Sequence, residues 1–389
     1  MKRNYLIILL LILVQMVSAE GNVRPTRING IFYNLDASKK QAEVTYDWDY
    51  DGPGLENKTY KGTITIPTTV SYKGITYDVT SIGTIAFLGN YELKAVNIPN
   101  SILHIGSGAF DQCEKLQSLT IPKSVTDIEG AILNECDAIT SIIVDKDNKF
   151  YDSRNNCNAI IHTATNELIQ GCQNTVIPNT VTRIGNHAFA FISTLTSIDI
   201  PNSVTNIGYD AFRNTGLKSL VLPSSLILLE EGAFFSCKNL TSVTLSESLE
   251  NLPFGSFEQC NITSITIPAS VESIDNFVFH ANNNKINIYI ESPTPPSINN
   301  NAFNQKFWGW QFATIHVPVG YKDVYQSSDT WKDFTIIDDV VIPESVTGIS
   351  TLTSNHSTQS KNIYTLSGKR LSAPRKGINI INGKKINLK

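Results

Sequence analysis

The side chains of this sequence that could do chemistry are scattered rather than grouped. None of the six histidines, at positions 104, 162, 187, 280, 316 and 356, lies in a His-Glu-x-x-His motif. The phosphate-binding loop and the Gly-x-Ser-x-Gly nucleophile motif are also missing from the sequence. The run from Asp145 to Asn156 begins like a calcium loop but lacks the turn glycine and the closing glutamate. We therefore predict a protein that is not an enzyme, with no catalytic residue, no cofactor and no metal site.

The N-terminus has the pattern of an export signal. Two basic residues follow Met1, an apolar run extends to Val17, and small residues precede a predicted cleavage between Ala19 and Glu20. The apolar run is too short for a membrane anchor, which needs about 20 residues. No later stretch is long and apolar enough to span a bilayer. We predict an exported mature chain without a membrane span.

Export makes the six cysteines candidates for disulfides. Four of them, however, precede a recurring leucine position by two or three residues: Cys113, Cys136, Cys237 and Cys260. We interpret these four as small buried side chains, with bridges between adjacent coils as the alternative. Cys157 and Cys172 fall outside this phase and are the best candidates for a disulfide.

The elements that carry these side chains repeat every 22 to 24 residues, and one repeat is called a coil below. Each coil has an apolar anchor and a strand motif of the form apolar-x-x-apolar-x-apolar. The anchors are Phe87, Phe110, Ile132, Phe189, Phe212, Phe234, Phe257, Phe279 and Phe303. A fixed period of this length is typical of a solenoid, in which each coil buries its apolar side chains against its neighbours.

The strand motifs place small polar side chains on the outward face of the predicted sheet, because strand side chains alternate. These side chains are Ser118, Thr120, Ser197, Asp199, Ser219, Ser242, Thr244, Ser264 and Thr266. Stacked coils would align them in rows about 4.8 Å apart, as a flat ribbon with little charge. Such a ribbon suits an extended protein or glycan better than a small metabolite, which needs a deep pocket. The alternative is a solvated sheet face without a ligand.

The period is interrupted once, between Ile132 and Phe189, which are 57 residues apart where two coils need about 45. We predict an island at residues 145–176, with two strands joined by a turn at 164–166 and projecting from one coil. Insertions of this kind are often functional.

The remaining boundaries follow from composition and pattern. We predict a signal peptide at 1–19, an N-terminal β cap at 20–80, the solenoid at 81–337, a Ser/Thr-rich linker at 338–361 and a C-terminal β-unit at 362–389. A short helical turn between Gly320 and Trp331 could close the solenoid. The net charge of -4 gives no electrostatic reason to bind nucleic acid.

The coil pattern Ser-Val-Thr-x-Ile-Gly-x-x-Ala-Phe-x-x-Cys-x-x-Leu-Thr-Ser-Ile-Thr-Ile-Pro resembles the leucine-rich repeats of BspA-like bacterial surface proteins over residues 28–337. The pattern departs at Ile132 and Ser246, and residues 151–161 resemble an island of that family. The resemblance implies a mainly β, right-handed leucine-rich repeat solenoid with coils of about 23 residues. It also implies a non-catalytic, adhesin-like protein that binds a host extracellular-matrix protein or surface glycan. The alternative function is a structural cell-envelope protein without a dedicated ligand.

The C-terminal unit resembles the short sorting domains of the type IX secretion route, through residues 363–364, 368–371, 376–378 and the basic end at 383–389. That resemblance implies display on, or release from, the surface of a Gram-negative bacterium. If the unit is not a sorting signal, we expect a periplasmic protein. The sequence leaves the oligomeric state open.

Overall fold

The structure is a computed structural model. It describes residues 24–47, 60–282, 285–299, 302–303 and 313–341, together with the backbone of short strands between residues 363 and 388. The signal segment at 1–19 and most of the linker at 338–361 lie outside the described residues. The chain divides into two compact units, Met1–Thr175 and Val176–Lys389. They are called unit 1 and unit 2 below.

The regular secondary structure of unit 1 consists almost entirely of short β-strands. In chain order these are β1 Thr26–Ile28, β2 Ile31–Asp36, β3 Gln41–Thr45, β4 Gly62–Thr65, β5 Thr69–Tyr72, β6 Ile75–Ile82, β7 Leu93–Asn97, β8 His104–Ile105, β9 Ser118–Ile121, β10 Asp127–Ile128, β11 Ser141–Val144, β12 Tyr151–Asp152, β13 Ala159–His162 and β14 Glu167–Gly171. A 3-10 turn at Arg154–Asn156 separates β12 from β13.

The strands of unit 1 form two kinds of parallel ladder. Long coil strands pair as β4 with β7 and β9 with β11, and short coil strands continue one sheet in the order β3-β6-β8-β10. Strands β1 and β2 extend this sheet beyond β3 with antiparallel pairing. Parallel pairing therefore begins at β3, inside the segment predicted as the cap at 20–80. The sequence of the first coil does not match the repeat pattern, because the β5–β6 hairpin makes this coil longer than the others.

The elements of unit 2 are long and short coil strands in the same alternation, one short helix and four strands at the C-terminal end. They are β15 Arg183–Ile184, β16 Asn206–Ile207, β17 Ser219–Val221, β18 Leu228–Leu229, β19 Ser242–Thr244, β20 Asn251–Leu252, β21 Ser264–Ile267, β22 Ser273–Ile274, β23 Ile286–Ile290, β24 Ser297–Ile298, β25 Ala313–Pro318, helix α1 Lys322–Gln326, β26 Thr335–Val340, β27 Ile363–Tyr364, β28 Arg370–Leu371, β29 Gly377–Ile381 and β30 Lys384–Leu388.

The long strands of unit 2 form the ladders β17-β19 and β21-β23-β25-β26, and the short strands form β15-β16-β18 and β20-β22-β24. The segment 362–389 forms a separate antiparallel sheet in the order β28-β27-β29-β30. In the described part of the chain, no helix has the length and apolar character needed to cross a membrane.

The predicted anchors form the core of each coil. In unit 2 the rings of Phe212 and Phe234 are nearly parallel with centroids 5.2 Å apart, and all three rings of Phe189, Phe212 and Phe234 are fully buried. Most anchors also donate a backbone hydrogen bond to the next coil, as in the 2.8 Å hydrogen bond from Phe212 N to Ala233 O. Residues in the left-handed region flank the anchor, at Asp210 and Asn214. These residue types tolerate that backbone, and they turn the chain at the coil corner.

The last described coil of unit 2 is followed by a cluster of aromatic side chains, and the short helix α1 lies within the segment 320–331 where a helical turn was predicted. Trp331 and Phe334 contact the last anchor, Phe303, at centroid distances of 6.0 and 5.5 Å. The buried Tyr325 on α1 donates its hydroxyl to Ser292 O, and the Trp331 indole donates to Pro296 O, both at 2.8 Å. The cluster closes the apolar core that an exposed last coil would leave open.

The island of unit 1 is a hairpin, but it does not project. Strands β13 and β14 pair antiparallel, and β12 pairs with β13. The side chain of Gln170 accepts hydrogen bonds from the backbone N–H groups of Ile132 and Leu133, at 2.9 and 3.1 Å. The Tyr151 hydroxyl accepts another from Ile128 N at 2.9 Å. The insertion therefore supplies acceptors for buried backbone N–H groups of the preceding coil and belongs to the core.

Candidate binding surface

The predicted ribbon is an exposed face of the long coil strands. In unit 1, Ser118 and Thr120 point to solvent from β9. The register pairs them with Ser141 and Ile143 of β11, and Ile143 is half exposed. This part of the ribbon therefore mixes hydroxyls with an apolar side chain.

The ribbon of unit 2 is more extended. Ser219 pairs with Ser242 and Val221 with Thr244 in the parallel ladder of β17 and β19, with all four side chains exposed. Ser264 and Thr266 are exposed in the same way on β21. Among these, Val221 is 67% exposed, which is unusual for an aliphatic side chain on a sheet. The surface therefore offers hydroxyl groups, which can donate and accept hydrogen bonds, at the spacing between neighbouring strands. The exposed side chain of Val221 adds an apolar contact among them.

Two predicted ribbon residues are exposed without being part of a ladder. Ser197 and Asp199 lie in the segment 195–200, which forms no strand. Within this segment, Thr196 O accepts a hydrogen bond from Lys218 N at 3.2 Å. The segment therefore still contacts the next coil, although it does not form a strand. The ordered rows of unit 2 therefore begin at β17.

The ribbon ends in an aromatic platform that the sequence analysis did not identify. On the outward face of β23 and β25, Tyr289 stacks on His316 with ring centroids 4.3 Å apart and an angle of 21°. The His316 Nδ1 lies 2.9 Å from Asp339 Oδ1, which fixes the ring. The other ring nitrogen, Nε2, is buried and has no hydrogen-bond partner among the described residues. The neighbouring Ile337 is 40% exposed.

A signal for this platform is present in the sequence. The residues Ile286, Ile288 and Ile290 continue the inward apolar pattern, so Asn287 and Tyr289 occupy the outward phase of Ser264 and Thr266. The strand in this coil alternates as apolar-x-apolar-x-apolar and therefore differs from the apolar-x-x-apolar-x-apolar motif of the other coils. Extending the register from β21 by one strand identifies Asn287 and Tyr289 as outward residues.

The charged groups near the platform are carboxylates, and Asp339 contacts His316 directly. Glu291, directly after β23, is half-buried, and burial, together with the nearby charge of Glu247, raises the pKa of its carboxyl. The platform therefore offers the partly exposed ring of Tyr289 beside hydroxyl groups, with the imidazole of His316 largely buried behind it, and an aromatic ring among hydroxyls suits a surface that binds proteins or sugars.

The coil corners of unit 2 carry a second cluster that sequence reasoning did not single out. The guanidinium of Arg213 lies 4.4 Å from the ring centroid of Phe235 and 5.7 Å from that of Phe191. It also bonds Asp210 at 2.7 Å. Burial raises the pKa of Asp210 despite the opposing effect of Arg213, and burial lowers the pKa of His187 nearby. This cluster satisfies its own charges and stabilises adjacent corners.

The predicted disulfide between Cys157 and Cys172 is not formed. Both are buried free thiols, as are the other four cysteines. The Cys157 Sγ faces Ala159 O, whereas the Cys172 Sγ faces Asn158 O and the hydroxyl of Thr175. The turn between the two cysteines therefore directs each thiol to a backbone acceptor. The four coil cysteines are buried, as the repeat phase predicted.

Comparison with known proteins places the chain in a family. The model of the BspA type leucine rich repeat region matches residues 64–168, 166–287 and 255–368. No curated protein matches the chain. The crystal structure of the pneumococcal vaccine antigen PcpA is similar with a TM-score of 0.57 and 18% identity, and the match covers 82% of this chain and 99% of that one. A leucine rich cell surface protein from Faecalibacterium prausnitzii matches at 20% identity and a TM-score of 0.38, over 70% of this chain and 90% of that one.

The family match covers most of the chain, and its repeat agrees with the ladders described above. The mainly β fold and the spacing of about 23 residues are those of a leucine-rich repeat solenoid, as predicted. We conclude that this chain belongs to the BspA type leucine rich repeat family.

Proposed function

We propose that this protein is an exported surface protein that binds an extended partner along the ribbon of unit 2. The partner class is a host extracellular-matrix protein or a surface glycan, and the role is adhesion without catalysis. The observation that carries this proposal is the junction of the hydroxyl rows with the platform of Tyr289 and His316 on one sheet face.

The chemistry of this junction supports a binding role more than a purely structural one. A solvated sheet needs only small polar side chains, and Ser219, Ser242 and Ser264 meet that need. Tyrosine is enriched at the centre of binding interfaces because its ring supplies contact area at low entropic cost. The side chain of Tyr289 is held in place by His316, which is held in turn by Asp339. A pre-ordered aromatic side chain reduces the entropic cost of binding.

The parallel, in-register strands of the ribbon support an extended ligand, because they repeat the same outward positions from one coil to the next. A metabolite-sized ligand needs a concave site that encloses most of its surface. A chain of amino acids or sugars can instead contact successive rungs of a sheet with one residue each.

A binding panel tests this proposal. Purified residues 20–389 are presented to immobilised matrix proteins and glycans, and saturable binding is measured by interferometry. The double variant Thr244→Arg and Thr266→Arg places two bulky cations on the ribbon, whereas Asn251→Arg places one on the short strand β20 as the matched control.

We expect the double variant to lose at least tenfold in affinity and the control to bind like the wild type. Equal binding by all three proteins would move the ligand site off the ribbon. If a well-folded wild type binds no panel member, the structural envelope role becomes the better account.

We also propose that the C-terminal unit directs surface display. Its four-stranded antiparallel sheet is separate in pairing from the ladders of unit 2, as expected for an appended signal. A truncation ending at Ser360 should stay in the periplasm while the full chain reaches the surface, as measured by protease shaving of intact cells. Surface display of the truncated chain would exclude the sorting role and leave the ribbon proposal untouched.

A further inference from the structure

Unit 1 brings together a histidine and two carboxylates on the outward side of its short strands. His104 on β8 and Asp127 on β10 are register partners in the parallel ladder. The His104 Nδ1 lies 2.8 Å from Asp127 Oδ2, and its Nε2 lies 3.7 Å from Glu129 Oε1. One ligand atom from each of the three residues lies within 4.8 Å of the others.

We propose that His104, Asp127 and Glu129 form a site for a divalent transition-metal ion, for which Zn²⁺ is the probe. An imidazole with two carboxylates is a donor set that suits zinc. Calcium and magnesium prefer oxygen ligands throughout, so the imidazole selects against them. The inference is independent of the proposed binding function.

The distances between the three side chains lie on either side of those in a zinc site. In tetrahedral zinc coordination with bonds of about 2.0–2.2 Å, ligand atoms lie roughly 3.3–3.5 Å apart. Asp127 is 2.8 Å from one ring nitrogen of His104 and Glu129 is 3.7 Å from the other, so one carboxylate must move to the nitrogen that binds the ion. The side chains are partly or largely exposed, at 29% for His104, 62% for Asp127 and 51% for Glu129, so rotamer changes suffice.

The backbone holds the site in place. Because the ladder fixes the register of β8 and β10, the Cα atoms of His104 and Asp127 cannot drift apart while the coils stay stacked. Glu129 N donates to Ile105 O at 3.0 Å, and Glu129 Oε2 accepts a longer hydrogen bond from Ser107 N at 3.4 Å. A bound ion would therefore link two adjacent coils and leave its remaining positions to water.

Local charge favours a cation. In the described ranges, neither Asp127 nor Glu129 pairs with a lysine or arginine, and His104 is the only basic partner of both. Other histidines of the described chain differ in this respect: His280 meets one carboxylate, Glu258, and His316 meets one, Asp339. Across the same residues, no other three side chains of the metal-binding types converge.

The competing interpretation is a polar surface cluster, in which His104 contacts the two carboxylates and the three side chains have no affinity for metal. The two interpretations differ in what His104→Gln changes. A metal site loses a ligand and its affinity for zinc, whereas a polar surface cluster has no zinc affinity to lose.

Calorimetric titration of Zn²⁺ into residues 20–389, purified without a polyhistidine tag, decides between them. The variants are His104→Gln, Asp127→Asn and Glu129→Gln, and His280→Gln is the matched control because it breaks a pair with a single carboxylate. Thermal unfolding without metal checks that each variant is folded. Co²⁺ replaces Zn²⁺ in a second titration, because its visible absorption reports the number of ligands.

We expect one saturable Zn²⁺ per chain, at least a tenfold loss of affinity in each of the three site variants, and no change in His280→Gln. Losses of 10–100-fold are typical even for groups that only support a metal ligand. The proposal is wrong if the folded wild type shows no saturable binding, or if the site variants bind zinc as tightly as the wild type.

Discussion

The Sγ of Cys237 lies 3.1 Å from the carbonyl oxygen of Phe212 in the preceding coil, so the thiol donates a hydrogen bond to the anchor backbone. Cys113, Cys136 and Cys260 make the same contact with Phe87, Phe110 and Phe234. A cysteine at this phase therefore fills a small buried space and gives the anchor carbonyl a second hydrogen bond, beside the one that this carbonyl accepts from a backbone N–H at the corner.

This contact predicts that the thiols are inert in the folded protein. Burial raises the pKa of Cys237 and of Cys157 to about 11, so the reactive thiolate is scarce at neutral pH. Mass spectrometry after iodoacetamide treatment should find all six cysteines unmodified in native protein and alkylated after denaturation. Rapid native labelling of the coil cysteines, or a disulfide-linked peptide joining Cys157 and Cys172, would contradict this assignment.

A buried carboxyl in unit 1 should make stability depend on pH. Asp111 is buried, and burial raises its pKa to about 7 although Asn134 donates two hydrogen bonds to it. The folded state therefore holds a proton between about pH 4 and 7 that the unfolded state releases. Stability from this group is complete below the unfolded pKa near 4 and is lost as pH rises to about 7.

Asp111→Asn tests this linkage by removing the titrating group. Its amide can still accept from Asn134 N. It can also donate to Asn134 Oδ1, which has no partner among the described residues, after rotation of the Asn134 amide. We measure the free energy of unfolding by urea denaturation. Between pH 4 and 7, we expect that of the wild type to fall by on the order of 1–4 kcal/mol relative to that of the variant. Parallel pH profiles for the two proteins would show that Asp111 does not titrate in this window.

The anchor stack sets the stability of unit 2. The Phe212 ring lies 5.0 Å from Phe189 and 5.2 Å from Phe234, centroid to centroid, and is fully buried. Phe212→Ala should destabilise unit 2 by about 3–5 kcal/mol, measured as a shift of the denaturation midpoint. Phe254→Ala is the control: its ring is already 40% exposed, and we expect a loss of about 1 kcal/mol from its edge contact with Phe277. Equal shifts in the two variants would mean that the stack is not the core.

The island should act as a structural element of unit 1. Gln170→Ala leaves the buried N–H groups of Ile132 and Leu133 without an acceptor, at a cost of about 1–3 kcal/mol for each group. We expect a total loss of about 2–4 kcal/mol by chemical denaturation. Gln117→Ala, on an exposed side chain of the same unit, should change stability by less than about 0.5 kcal/mol. If Gln170→Ala is as neutral as the control, the island does not support the preceding coils.

Much of the fold can be predicted from the sequence, because the repeat shows which positions of successive coils are equivalent. The anchor phenylalanines and the inward leucines, such as Leu220, recur at one phase, and that phase identifies the core. The island's packing could not be predicted in this way. Its contacts depend on single polar side chains, Gln170 and Asn148, that reach back to earlier coils.

The candidate surfaces were only partly predictable for the same reason. The rows Ser219 with Ser242 and Ser264 with Asn287 follow from period and alternation. The pairing of Tyr289 with His316 depends on two coils of different length, and the position of Asp339 depends on the closing segment. His104 and Asp127 are 23 residues apart and therefore share a phase, which is a signal that a repeat alignment could have used.

The measurement that tests the ribbon proposal most directly is hydroxyl-radical footprinting of residues 20–389 with and without a ligand from the binding panel. Tyr289 is the partly exposed, oxidisable side chain of the platform, whereas His316 is only 8% exposed. Tyr209 and Phe254, both 40% exposed, report on the coil corners away from it. We predict that the ligand lowers oxidation of Tyr289 and leaves Tyr209 and Phe254 unchanged. Protection confined to the corner residues, with Tyr289 oxidised as in the free protein, would contradict the account.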